Sequence, residues 1–376
     1  MKPIRVLVVD DSAVVRKYIS ETLARVEGIE VVATALDPII TVEKIKKFNP
    51  DVLTLDVEMP RMDGITFLSK IMIARPMPVI MVSSFTEAGA RVTLRALELG
   101  AVDFILKPSF DSPSAIEEFT HNLVEKIFAA AQSKVRPRVP AGKKAEFSAE
   151  ALAKYTADVI LPPKKPARLH QKSERIITIG ASTGGTEAIA EIVKMLSDDC
   201  PGMAIVQHMP EKFTKAFADR INGLGKIYVK EAEHGDRLYR GVALIAPGNR
   251  HLLLRADANG YYVEVNDGLP VNRHKPSVDV LFRSAAQAAG INAVGILLTG
   301  MGSDGAAGLL EMREAGAVTI AQDESTCVVF GMPREAIRIG AAQKTLGLHD
   351  IARYIEGMRF KEPETSPSAV SGMERG

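Results

Sequence analysis

The chain has 376 residues, 46% of them hydrophobic and 25% charged, with 47 basic and 46 acidic side chains. That length suggests two or three domains, and that balance excludes global disorder. A net charge of +1 argues against a protein built mainly to bind nucleic acid. No apolar run approaches the roughly 18 residues of a membrane span, so no membrane insertion is expected. Lys2 and Arg5 precede only Val6-Leu7-Val8-Val9, which stops at Asp10-Asp11 and is too short for a signal peptide. Two cysteines, Cys200 and Cys327, can form neither a disulfide framework nor a zinc cluster. The expected compartment is the cytoplasm.

In chain order, short apolar runs at 4–9, 31–35, 52–55, 79–82 and 101–106 predict strands, the last interrupted by Asp103. Amphipathic stretches of helical length, such as 12–26 and 88–99, lie between them. Five β-then-α units over residues 1–131 predict a doubly wound α/β domain on a five-stranded parallel sheet. Ligands are then expected at the carboxyl ends of the strands. Residues 132–173 carry 10 basic and 3 acidic side chains and five prolines, whereas 1–131 and 174–376 each sit at −3. The basic excess therefore lies in a linker. Within it Phe147, Ala151, Tyr155 and Val159 recur every four residues, and a solvated segment is favoured over a docking helix.

Residues 174–357 predict a second α/β unit, mostly parallel and Rossmann-like. Residues 175–179, 203–207 and 293–299 read as buried strands, and 186–196 as a helix after a glycine-rich turn. Runs 242–246, 251–254 and 261–265 read as a small antiparallel insertion, with Asn259-Gly260 as a hairpin turn. Residues 358–376 read as a disordered tail.

The polar residues at the first unit's strand ends form one set. Asp10 and Asp11 follow the first strand, Asp56 the third, Ser83 the fourth and Lys107 the fifth. Each alone would read as a turn or cap residue; together they fall on one edge of one sheet. Three carboxylates raise one another's pKa unless a cation compensates. An all-oxygen set suits Mg²⁺, and a carboxylate there can form an acyl phosphate.

Val8-Val9-Asp10-Asp11-Ser12, Leu55-Asp56-Val57-Glu58-Met59-Pro60, Met62-Asp63-Gly64 and Lys107-Pro108 resemble the receiver domain of two-component response regulators. The resemblance implies phosphorylation of Asp56 by a histidine kinase. It also implies that Asp10, Asp11, Asp56 and the Glu58 backbone bind Mg²⁺. Ser83 and Phe104 fall at the hydroxyl and aromatic switch positions; Phe104 has no hydroxyl, so its switch would work through ring packing.

In the second unit Gly180-Ala181-Ser182-Thr183-Gly184 fits G-x-S-x-G between a strand and a helix, the context of a nucleophile elbow. Followed by Gly185, the same loop could cradle a phosphate at a helix N-terminus. A serine nucleophile needs a base and a carboxylate that orients it. His208, in Gln207-His208-Met209-Pro210, and Asp304, in Gly300-Met301-Gly302-Ser303-Asp304-Gly305, end two further strands. Asp304 could instead cap the helix that follows it. His234, His251 and His274 compete as bases and read as surface or structural residues, with His274 a possible groove residue. Asp236 and Asp279 rank below Asp304. The amides of Met301 and Thr183 are candidates for an oxyanion hole.

These segments, with Ala246-Pro247-Gly248 and the run from His274-Lys275-Pro276 to Phe282, resemble the catalytic domain of chemotaxis protein-glutamate methylesterases (the CheB family). The order receiver, linker, esterase is also that family's. The resemblance implies hydrolysis of glutamate methyl esters, and deamidation of glutamines, on the cytoplasmic helices of chemoreceptors. It maps Ser182, His208 and Asp304 as the triad and Met301 as an oxyanion donor, with no cofactor for ester hydrolysis. A monomer is expected. The resemblance also implies that the unphosphorylated receiver covers the cleft. Since both units carry the same charge, apolar contacts are expected to hold it there.

Overall fold

Short runs rich in valine, leucine and isoleucine give buried strands, and the first unit is built on five strands, of which the third and fourth are buried at every residue. The computed structural model describes residues 2–59, 62–84, 86–107, 113–133, 135 and 173–358. Nearly all of the basic linker with its four-residue repeat, the tail from 359, and Pro60 and Pro108 lie outside these residues. Strands β1 (Ile4–Val9), β2 (Ile29–Ala35), β3 (Val52–Asp56), β4 (Val79–Ser83) and β5 (Asp103–Leu106) pair in parallel in the order β2-β1-β3-β4-β5. Helices α1 (Ala13–Leu23), α2 (Pro38–Phe48), α3 (Gly64–Ala74), α4 (Glu87–Leu99) and α5 (Pro113–Gln132) alternate with them. The side chains of Ser12, Asp37, Asp63 and Thr86 accept first-turn N–H groups of α1 to α4, which fixes where each helix starts. The strand order reverses between β1 and β3, which opens a crevice at their carboxyl ends.

The second unit is a seven-stranded sheet, parallel throughout. Its strands are β6 (Ile176–Ala181), β7 (Gly202–Gln207), β8 (Tyr228–Glu231), β9 (Val242–Ile245), β12 (Ala293–Leu297), β13 (Val318–Gln322) and β14 (Lys344–Leu346). They run in the order β14-β13-β12-β6-β7-β9-β8. Two strands stand apart as an antiparallel hairpin, β10 (His251–Asp257) and β11 (Gly260–Asn266), whose turn residues are Ala258 and Asn259. The expectation that 242–246 joins this insertion is corrected: β9 pairs in parallel with β7 and β8. All four of its residues are buried, the signature of a strand covered on both faces rather than one open to water. Helices α6 (Gly185–Met195), α7 (Phe213–Asn222), α8 (Val278–Ala289), α9 (Ala306–Glu314), α10 (Met332–Arg338) and α11 (Leu348–Glu356) complete the unit.

The two units share apolar surface. Ala90, Leu94, Leu97 and Phe104 of the first belong to the same buried cluster as Phe213 and Phe217 of the second. Among the described residues no helix is long and apolar enough to cross a membrane.

Candidate functional site

Asp10, Asp11 and Asp56 come together at the β1/β3 crevice, each offering a carboxylate oxygen within 4.8 Å of the others. Asp56 Oδ2 accepts from Lys107 Nζ at 2.7 Å, and Asp56 Oδ1 accepts from the Glu58 N–H at 3.1 Å. Asp10 Oδ1 accepts from the Ser12 N–H at 2.8 Å. Its Oδ2 is buried with no hydrogen bond and lies 3.6 Å from Lys107 Nζ. Burial pushes the Asp56 carboxyl up to about 6, assisted by Asp10 and opposed by Lys107 and the Glu58 N–H. Burial raises Asp10 as well. For Lys107, burial pulls downward, but Asp56 and Asp10 outweigh it and hold the ammonium above its ordinary value. Three crowded carboxylates, one with an orphaned buried oxygen, are a donor set that fits a hard divalent cation such as Mg²⁺. Ser83 is buried in the same unit and accepts from Thr93 Oγ1 at 2.7 Å.

Ser182, His208 and Asp304 follow three strands that are neighbours in the second sheet: β6 in the middle, β7 on one side and β12 on the other. The Ser182 loop leaves β6 sharply, its N–H donating to the Thr299 carbonyl at 3.0 Å. Gly184, at φ +79, makes the turn into α6. The loop after β12 approaches so closely that a Cβ on Gly300 would lie 2.7 Å from Ser182 Cβ, so only glycine fits there. Among the described residues neither the Met301 nor the Thr183 N–H donates a hydrogen bond.

His208 Nε2 meets Asp304 Oδ2 at 2.8 Å. Its other nitrogen, Nδ1, is buried and unpartnered. Ser182 and His208 line one cavity of about 470 Å³. Asp304 is 2% exposed. Oδ1 accepts from Asn272 Nδ2 at 2.9 Å and Ser277 Oγ at 2.8 Å, and Oδ2 from the Val278 N–H at 2.7 Å. Burial alone would raise this carboxyl, but His208, Asn272 and the Val278 N–H hold it far below the usual range. The aspartate does serve a helix start, that of α8 rather than of the following α9, and it does so while holding His208. A helix N-terminus further favours the ionised carboxylate.

The rivals separate cleanly. His251 is 3% exposed and structural, its Nε2 at 2.9 Å from the Leu269 carbonyl and its Nδ1 accepting from the Ser277 N–H. Asp236 is paired with Lys230, and His234 is exposed. Asp279 Oδ1 accepts from the Gly308 N–H at 2.6 Å and Oδ2 from Asn272 at 2.7 Å, which ties α8 to α9. His274 is different: its ring stacks on that of His208, centroids 3.8 Å apart and planes at 14°. The sequence reading missed Asn272 and Ser277 as partners of Asp304. The helix-start pattern Ser277-Val278-Asp279 was the available signal.

The first unit lies across this cavity. Phe104, Asn122, Glu125 and Lys126 line it opposite Ser182 and His208. Phe104 stacks on Phe213 at 4.6 Å and 16°. Thr183 Oγ1 donates to Asp103 Oδ2, and Lys126 Nζ holds the other oxygen at 2.8 Å. Charge contributes more than the sequence reading expected: Arg220 bridges Glu98 of α4 and Glu187 of α6, each at 2.7 Å.

Residues 177–355 match the family model described as CheB methylesterase, and residues 6–118 that of the response regulator receiver domain. A protein-glutamate methylesterase/protein-glutamine glutaminase of Geobacter metallireducens is 54% identical over 358 residues, covering 95% of this chain and 96% of the relative. One from Xanthomonas campestris pv. campestris is 56% identical, covering 93% and 99%. The crystal structure of a Thermotoga maritima CheB methylesterase catalytic domain is 36% identical, covering 49% of this chain and 97% of that one at TM-score 0.48. With a receiver ahead of a methylesterase domain, and identity of this order over nearly its full length, the chain belongs to the protein-glutamate methylesterase/protein-glutamine glutaminase family.

Proposed function

We propose that this chain is a phosphorylation-regulated cytoplasmic enzyme of chemotaxis that hydrolyses glutamate methyl esters on the cytoplasmic helices of chemoreceptors and deamidates glutamines there. The observation that carries the reading is the 2.8 Å His208–Asp304 pair on strand ends flanking the Ser182 loop. Because Nε2 is engaged, the base is Nδ1 of His208. It takes the Ser182 proton as Oγ attacks the γ-carbonyl, and Asp304 holds the imidazole and stabilises its charge. The amides of Met301 and Thr183 receive the oxyanion. His208 then protonates the departing methoxide oxygen, which leaves as methanol, or the amide nitrogen of a glutamine, which leaves as ammonia. Water, deprotonated by His208, releases the acyl group as glutamate, with no cofactor in the chemical steps.

In the receiver, Asp56 accepts the phosphoryl group from a histidine kinase. Mg²⁺ held by Asp10, Asp11, Asp56 and the Glu58 backbone would neutralise the crowded negative charge. Lys107 pairs with phosphoryl oxygens, and Ser83 and Phe104 report the change. The domain division that goes with this reading is receiver 1–131, linker 132–173, catalytic domain 174–357 and tail 358–376. The protein acts as a monomer, with neither nucleic acid nor membrane insertion involved.

Methanol release from methylated receptor membranes tests the reading. Ser182→Ala, and His208→Gln, should abolish it with the fold retained, and turnover near wild type in either would sink the assignment. Acetyl phosphate and Mg²⁺ should give an adduct that is lost in Asp56→Asn and in EDTA.

A further inference from the structure

One tight turn supplies two side chains to the site. Residues 271–274 close it with paired backbone bonds between Val271 and His274, at 3.1 and 2.8 Å. Asn272 and Arg273 at its corner have φ of 52 and 67. Asparagine tolerates the left-handed region, whereas arginine is strained there. Such a backbone persists where its surroundings over-determine it. Here it delivers the Asn272 amide to Asp304 Oδ1 and lays the His274 ring on His208.

Two imidazoles stacked face to face at 3.8 Å cannot both carry charge without strong repulsion. The surroundings decide which one does. His208 has Asp304 against its Nε2. The groups facing His274 are His208, Asp304, Lys126 and His121; burial, His208, Lys126 and His121 pull its pKa down to about 3, against Asp304 alone. His274 is therefore the neutral ring of the pair near neutral pH.

We propose that His274 is a positioning residue for the base: its flat ring fixes the His208 imidazole in the plane that joins Nε2 to Asp304 and turns Nδ1 toward Ser182, and its π face steadies the charge that His208 gains. The second effect is the cation–π attraction of a desolvated site. This inference rests on the Ser182–His208–Asp304 reading given above.

The test uses the full-length protein phosphorylated with acetyl phosphate and Mg²⁺, so that the receiver does not cover the cleft, and a small fluorophosphonate, with serine labelling followed by intact mass, beside kcat and KM on methylated receptors. His274→Ala should slow labelling and lower kcat by about 10–100-fold, the scale expected when a catalytic group is misplaced, with KM within about twofold. His274→Phe, which keeps a flat ring and removes both nitrogens, should recover to within about threefold of wild type. If the alanine variant does not fold, His274→Gln replaces it, keeping polar atoms without a ring. Labelling of the ring-less variant at more than half the wild-type rate would overturn the proposal. So would a phenylalanine variant as slow as the ring-less one, because the nitrogens and not the face would then matter. Absence of labelling in wild type would instead sink the serine-nucleophile reading itself.

Discussion

Phe104 is the residue whose removal should most directly uncover Ser182. It is 4% exposed and its ring stacks on Phe213 of the catalytic domain at 4.6 Å. Full burial of a phenylalanine side chain contributes about 1.5–3 kcal/mol, and an aromatic pair about 0.5–1.5 kcal/mol more. Lys126 of the same domain lies over the ring, 5.9 Å from its centroid, and that contact is kept when the domains part. Assigning half of the burial and the whole pair to the interface gives about 2 kcal/mol, a factor of about 30 in the closed-to-open ratio. Phe104→Ala should therefore raise unphosphorylated activity by up to about 30-fold, with phosphorylated wild type as the ceiling. The assay is methanol release from methylated receptors in EDTA without phosphodonor, with small-angle scattering on the same samples to follow domain separation. Activity within twofold of wild type, with unchanged dimensions, would refute the view that this stack holds the cleft covered.

Two further outcomes follow from the electrostatics. Asp56, pushed up to about 6 from 3.8, binds its proton more tightly folded than unfolded. Its contribution to metal-free stability is thus full below about pH 4 and lost as pH rises through about 6. Asp56→Asn should melt higher than wild type in EDTA at pH 7.5, by about 2–4 °C for each kcal/mol recovered, and the gap should close toward pH 4; an equal gap at both pH values would contradict this. Asn272→Gly keeps the left-handed turn but removes the donor to Asp304. With Ser277 and the Val278 N–H still in place, kcat should fall about tenfold, as for loss of a hydrogen bond to a charged group. An unchanged kcat would show that those two donors suffice.

The parts legible in the sequence were those with local signals. Residues 4–9 form β1 as read, because an apolar run of three valines and a leucine ending at two aspartates has one physical solution. The strand-end placement of Ser182, His208 and Asp304 was legible because each follows a buried run in a turn. Strand β9 was misread because four consecutive apolar residues carry no alternation that would tell a hairpin strand from a central parallel one. Strand β14, three residues with two exposed, gave no run to see. Asn272 was missed, and His274 was read only as a groove residue and not as a partner of His208, for another reason. A basic, turn-forming run such as Asn272-Arg273-His274-Lys275 looks like surface, and only the approach of β12 and β7 from distant sequence makes it part of the site.

The strand β5 joins the two sites physically. Lys107, just past its end, pairs with Asp56, while Asp103 and Phe104 at its start hold Thr183 and Phe213. At about 3.3 Å per residue the two ends are roughly 13 Å apart, with one rigid element between them. Taking the cleft from 99% covered to 99% open requires about 5.5 kcal/mol. The Phe104 stack supplies about 2 of these. The Thr183–Asp103 bond, made to a charged group, supplies about 1.5–3, and Arg220 between Glu98 and Glu187 adds the remainder. No single contact reaches the total. A phosphoryl group that takes Lys107 from Asp56 must therefore loosen at least two of the three together, and β5 is the element that already touches two.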